Sequence, residues 1–101
     1  MIWLLIACVP SYEDAPSVAA ETYCGYAEDE CGLLQEGEYE DCVNGNTDLF
    51  EILWPSEQCA DGFDREAWGI CHDALQSWDC DDWLGSLSDV GSVCGSSAIC
   101  L

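Results

Sequence analysis

Residues 64–78 read Asp-Arg-Glu-Ala-Trp-Gly-Ile-Cys-His-Asp-Ala-Leu-Gln-Ser-Trp, and their periodicity decides the fold class. Ala67, Trp68, Cys71, Ala74, Leu75 and Trp78 recur at helical spacing and make a wide apolar stripe. Asp64 stands at the N-cap and Glu66 supports the first turn, where carboxylates meet unpaired amides and the positive end of the helix dipole. The pattern predicts a helix from about Arg65 to Trp78.

The same period continues outward. Tyr39, Cys42, Val43, Asn46, Phe50 and Leu53, with Leu49 beside them, predict a helix over about Glu38 to Leu53. Asn44-Gly45-Asn46 interrupts it, and a break there would leave Asp48 to cap a second piece. Ala20, Cys24, Ala27, Cys31 and Leu34 predict a helix over about Val18 to Leu34, with Ser17 as N-cap and Gly32 as an earlier stop. Pro55 ends the second helix, because it disfavours helical backbone at Trp54. A short last helix is expected over about Cys80 to Leu87, capped by Asp79, with Trp83, Leu84 and Leu87 facing inward. Ser88 to Leu101 is Gly- and Ser-rich and reads as an irregular tail, with Val90 to Cys94 as a weak strand signal. The expected class is all-α: a small disulfide-stapled bundle of three to four short helices with an irregular C-terminal tail.

At 101 residues the chain has room for one domain. It holds 21 Asp plus Glu against one basic residue, Arg65, for a net charge of −20. Nucleic-acid binding needs Lys and Arg to displace phosphate counterions, so this balance excludes it. Attraction to an anionic membrane surface is excluded for the same reason. Hydrophobic residues make up 50 % of the chain, enough for a packed core rather than disorder.

Nine Cys in so short a chain is the density of exported disulfide scaffolds. Eight of them, Cys24, Cys31, Cys42, Cys59, Cys71, Cys80, Cys94 and Cys100, predict four bridges. Spacing leaves the 105 possible pairings open. Cys31 and Cys42 are nearly equidistant from the Glu36-Gly37 turn, as facing positions on a hairpin would be, and Cys94 and Cys100 could close a local loop. A zinc site is not expected, since no C-x-x-C occurs and His72 is the single His.

The ninth Cys follows an apolar run, Met1 to Ala7. Leu5-Ile6-Ala7-Cys8 resembles a bacterial lipobox, in which the Cys sulfur takes a diacylglycerol and cleavage makes that Cys the first residue. The expected organisation is a lipoprotein-type signal over 1–7, a lipid-anchored tether over 8–17 containing Pro10 and Pro16, and a Cys-rich helical module over 18–101. No Lys or Arg precedes Cys8, and the apolar run is at the short limit. A start upstream of Met1 would supply both. The run is too short to span a bilayer, which takes about 20 residues.

Candidate chemistry is sparse. His72-Asp73 could act as a base pair near calcium, as in secreted phospholipases. No Gly-rich calcium loop accompanies it, and a solvated His72 is the expectation. Asp79, Asp81 and Asp82, and likewise Asp61, Asp64 and Glu66, gather carboxylates, but neither set has the EF-hand frame. Helix capping and weak divalent binding at most are expected of them. Trp68 and Trp78 fall on a core stripe, and packing is the first reading for Trp54 too, with its place in a loop before Pro55 leaving an exposed partner or glycan contact as the alternative. No nucleophile elbow or phosphate loop is present, and no cofactor is expected.

A lipobox Cys, a Pro/Ser spacer, Tyr23-Cys24, Cys31, Tyr39-Glu40-Asp41-Cys42, Cys59, Ala67 with Cys71, Ala74-Leu75, Cys80 and Cys94 together resemble the small Cys-rich lipoproteins of myxobacteria and related deltaproteobacteria. The resemblance covers most of residues 8–100. It implies a helical, disulfide-bonded module on the bacterial cell envelope, anchored in the outer membrane or extracellular, and no catalytic residues. The expected function is that of a non-enzymatic envelope lipoprotein, tied to the membrane by lipid on Cys8, that binds a protein or polysaccharide. A secreted Ca-dependent hydrolase using His72 and Asp73, or a soluble inhibitor- or toxin-like module, are the alternatives.

Overall fold

The computed structural model describes residues 9–101, apart from the Trp83 side chain. The expected signal segment, residues 1–7, and the lipid-attachment residue Cys8 lie outside the described residues. In chain order the helices are α1 Ala15–Asp29, α2 Tyr39–Leu53, α3 Ser56–Cys59, α4 Arg65–Leu75, α5 Trp83–Cys94 and α6 Ser96–Ile99. The protein is a mostly helical bundle stapled by four disulfides.

α1 begins and ends earlier than its pattern predicted. Pro16 lies in the first turn, where its missing N–H costs nothing and its fixed φ suits a helix. Ser17 is therefore inside the helix, and its hydroxyl donates to the Asp14 carbonyl at 3.0 Å. At the other end Gly32 takes φ +61°, open to Gly without a Cβ clash, and turns the chain so that Leu33 N donates to the Ala27 carbonyl. Of the segment expected as a tether, residues 15–17 are helix, Val9 and Tyr12 pack against the core, and the Tyr12 hydroxyl donates to the Trp54 carbonyl at 3.0 Å.

That bond joins the residues before α1 to the end of α2, so the two helices run antiparallel. The face of α1 toward α2 carries small residues, including Ala20, Cys24 and Ala27, all buried. Small side chains let two helices approach closely, and Cys24 bridges to Cys42 with Cα atoms 6.0 Å apart. α2 does not break at Asn44-Gly45-Asn46. Packing against α1 and the bridge at Cys42 override the weak local propensity of Gly, and Asn46 Nδ2 donates to the Cys42 carbonyl at 2.8 Å.

α4 is capped as predicted, with the Asp64 carboxylate accepting from Ala67 N at 2.9 Å. It stops at Leu75 rather than Trp78. Trp78 is still buried, and its indole N–H donates to the Leu75 carbonyl. The last part of the chain differs most from expectation. Asp82, not Asp79, caps α5, accepting from Gly85 N at 3.2 Å, and the helix continues to Cys94 through the Gly/Ser stretch. Leu84 and Leu87 are exposed, while Ser86, Val90 and Cys94 face inward. The weak strand signal over Val90 to Cys94 is helix.

Two pairing hints are corrected. Cys31 lies beyond the end of α1, so it reaches Cys80 in the loop before α5, and Cys24 takes Cys42. Cys94 points into the core toward Cys71, while the α6 turn carries Cys100 across to Cys59. The C-terminus is stitched down further by Asp64 N to the Ile99 carbonyl and Leu101 N to the Gly62 carbonyl.

Trp54 stands at the centre of the core and is fully buried, so packing holds and the alternative of an exposed partner contact falls away. Its ring lies 5.0 Å from Phe50, 5.2 Å from Phe63 and 5.7 Å from Trp68, and its indole N–H donates to the Cys94 carbonyl at 2.6 Å. The end of α2 is tucked under the end of α5, which the Trp-Pro dipeptide could not reveal.

Candidate functional site

α1 and the end of α4 leave an open cleft of about 510 Å³ between them. Glu21, Thr22, Gly25, Tyr26, Asp29, Glu30 and Gln76 line it. These positions follow from helical spacing: 21, 25 and 29, with 22 and 26, lie along one strip of α1. Apart from its own stretch of helix backbone, nothing lies within 4 Å of where a Gly25 Cβ would stand, so that part of the wall is bare backbone. Tyr26 is fixed at its ends: its hydroxyl donates to the Trp78 carbonyl at 2.8 Å, and its ring packs edge-on to Trp78 at 5.1 Å. The carboxylates also act at a distance. Partial burial and then the charges of Glu21, Glu28 and Asp29 push the Tyr39 phenol above its ordinary value, and burial raises Tyr23.

His72 is half-buried beside this cleft rather than plainly solvated. Gln76 Nε2 lies 3.3 Å from Nδ1, and Thr22 Oγ1 lies 3.3 Å from Nε2. The Gln76 amide nitrogen faces Nδ1 as a donor, an arrangement that suits the tautomer with its hydrogen on Nε2. Thr22 already donates to the Val18 carbonyl at 2.9 Å and has a lone pair left for it. Asp73 is exposed on the adjoining helix position, and its carbonyl accepts from Ser77. This geometry turns His72 toward a threonine and an amide. The Thr22 hydroxyl spends its hydrogen on the Val18 carbonyl, and among the described residues the two ring nitrogens meet Thr22 and Gln76 rather than the Asp73 carboxylate.

The carboxylate clusters serve local structure. Asp82 and Asp64 cap helices, and Asp79 Oδ1 accepts from Asp81 N at 2.9 Å. Ser86 Oγ accepts from Asp79 N at 3.0 Å and holds this loop against α5. Among the described residues no group of three or more His, Cys, Asp or Glu is placed to hold a metal ion. Among the same residues no helix is long and apolar enough to cross a membrane.

The sequence reading missed the outer surface of α2. Leu49 is 62 % exposed and Ile52 is 76 % exposed. Both lie off the core stripe: the sequence pattern set Leu49 beside that stripe and left Ile52 out, although their spacing of three was a legible signal. Leu84 and Leu87 form a similar exposed pair on α5.

The eight Cys expected to form bridges do so, in the pairs described above. No curated protein and no solved structure matches the chain. Its sequence does match a protein family over residues 24–101, from the first bridged Cys to the C-terminus. The chain therefore belongs to DUF6184, a family of unknown function.

Proposed function

We propose that this protein is a non-enzymatic lipoprotein of the bacterial cell envelope, of the small Cys-rich kind found in myxobacteria and their relatives. It is anchored in the outer membrane through Cys8 and binds another protein or a polysaccharide. One observation carries this reading. Four bridges use all eight Cys from Cys24 to Cys100, and the ninth directly follows an apolar run ending in Ala7. Disulfides at this density belong to an oxidising compartment, and lipidation gives the odd thiol a role there. The His72 contacts and the capping roles of the Asp clusters support a binding module over a hydrolase.

Two measurements test this. Intact mass of the membrane fraction should show a diacylglyceryl group on Cys8; a soluble chain with an unmodified Cys8 refutes the anchor and favours the inhibitor- or toxin-like alternative. Carbodiimide treatment of whole cells reads the binding role. This chain has no Lys, so carboxylate-to-amine coupling reports mainly on partners. A discrete adduct, or co-sedimentation with envelope polysaccharide, is expected, and the loss of both sinks the interaction reading.

A further inference from the structure

We infer that the outer face of α2 is a docking surface for a basic amphipathic helix of another protein. The inference rests on the interaction reading above and names its surface and partner chemistry. Gly45, Leu49 and Ile52 are spaced i, i+4 and i+7, so they form one exposed stripe along α2. Apart from its own stretch of helix backbone, nothing lies within 4 Å of a Cβ built at Gly45, so one end of the stripe is open backbone that an incoming helix can approach closely. Asp48 is one turn from both Gly45 and Ile52, and Asp41 is one turn before Gly45. Glu51 lies further around the exposed side. The surface thus offers two large apolar side chains beside a row of carboxylates.

The charge selects the occupant. The chain has 21 acidic residues and one Arg, so nearly all its carboxylates lack a cationic side chain of their own. A second copy would bring another −20 to the contact. An anionic bilayer would repel the same carboxylates. A helix with Leu-like residues on one face and Lys or Arg beside them satisfies both halves of the surface.

The test uses the oxidised full-length chain and a synthetic Leu/Lys peptide patterned as an amphipathic helix, followed by fluorescence anisotropy across a salt series. The peptide should bind. Leu49→Ser with Ile52→Ser should weaken binding about tenfold or more, because apolar contact supplies the specific part. Asp41→Asn with Asp48→Asn should flatten the salt dependence. Leu84→Ser with Leu87→Ser, the exposed pair on α5, should leave binding unchanged. All these positions are exposed, and circular dichroism checks that each variant folds. Equal binding by the Leu49/Ile52 variant would mean plain charge attraction and overturns the proposal, as does absence of binding. Sedimentation and vesicles of phosphatidylglycerol with phosphatidylethanolamine cover the other occupants. Self-association or vesicle binding that disappears in the Leu49/Ile52 variant also overturns it. The interaction reading itself is judged by the cell cross-linking experiment, so the two fail separately.

Discussion

Replacing Trp54 with Phe separates packing from hydrogen bonding at the centre of the core. The residue is fully buried, and its indole N–H meets the Cys94 carbonyl at 2.6 Å. Cys94 is the last residue of α5, where carbonyls have run out of helical partners, and Gly95 already takes the amides of Ala98 and Ile99. Phe therefore leaves a buried acceptor unpaired, at about 1–3 kcal/mol. The smaller ring also leaves roughly 40 Å³ unfilled, worth about 1 kcal/mol at ~24 cal/mol per Å³. The sum is about 3 kcal/mol, a large share of the stability of a small domain. Trp54→Ala adds the lost contacts to Phe50, Phe63 and Trp68 and should cost about 4–5 kcal/mol. Guanidinium unfolding of the oxidised protein, followed by far-ultraviolet circular dichroism, measures both without relying on Trp fluorescence. A loss under about 0.5 kcal/mol for Trp54→Phe would refute the reasoning, because neither the bond nor the volume would then matter.

Three other perturbations probe separate parts of the fold. Cys71→Ala with Cys94→Ala opens a link between residues 23 apart and should cost about 3 kcal/mol by freeing the unfolded chain; a midpoint unchanged in guanidinium would contradict the pairing. Asp82→Ala should cost about 1 kcal/mol by uncapping α5, and the reverse ranking, with Asp79→Ala the costlier change, would return the helix start to Cys80. Tyr39 ionises above its ordinary 10.0 in the folded chain, so its contribution to stability is complete below pH 10 and is lost as pH rises through the folded value. Absorbance at 295 nm should show a late phase to which Tyr23 and Tyr39 both contribute, and Tyr39→Phe should remove the Tyr39 part of it; an unaltered titration curve in the variant would assign the phase elsewhere.

The fold class was legible because three segments keep one apolar face at helical spacing, and the Asp64 cap was legible because an aspartate stood directly before such a face. The end of the chain was not. Ser88 to Leu101 has the Gly and Ser content of a loop, yet α5 runs through it. Val90 and Cys94 are buried there, and Cys94 is bridged to Cys71, so tertiary contacts outweigh weak local propensity. Disulfide pairing was illegible for a related reason. The hint for Cys31 assumed that α1 reaches it, whereas Gly32 turns the chain and hands the hairpin position to Cys24. At the candidate surface the carboxylates were plain in the composition, but Leu49 and Ile52 were hidden among neighbours that do belong to the core.

Beyond the helix caps at Asp64 and Asp82, the charges of this molecule do little to hold its fold. A chain of 21 acids and one Arg cannot build stability from its own ion pairs. The load falls on covalent bridges and on the cluster of Phe50, Trp54, Phe63 and Trp68, none of which depends on ionisation. Repulsion among the carboxylates opposes compaction and is screened by salt. Bridges that restrict the unfolded chain offset this repulsion without neutralising any charge. The carboxylates therefore stay available at the surface, beside exposed apolar residues on α2. A fold that drew its stability from ion pairs would pair its acids internally. This one, with 21 acids against one Arg, leaves most of them without a cation of its own, and the docking helix proposed above would bring that charge from outside.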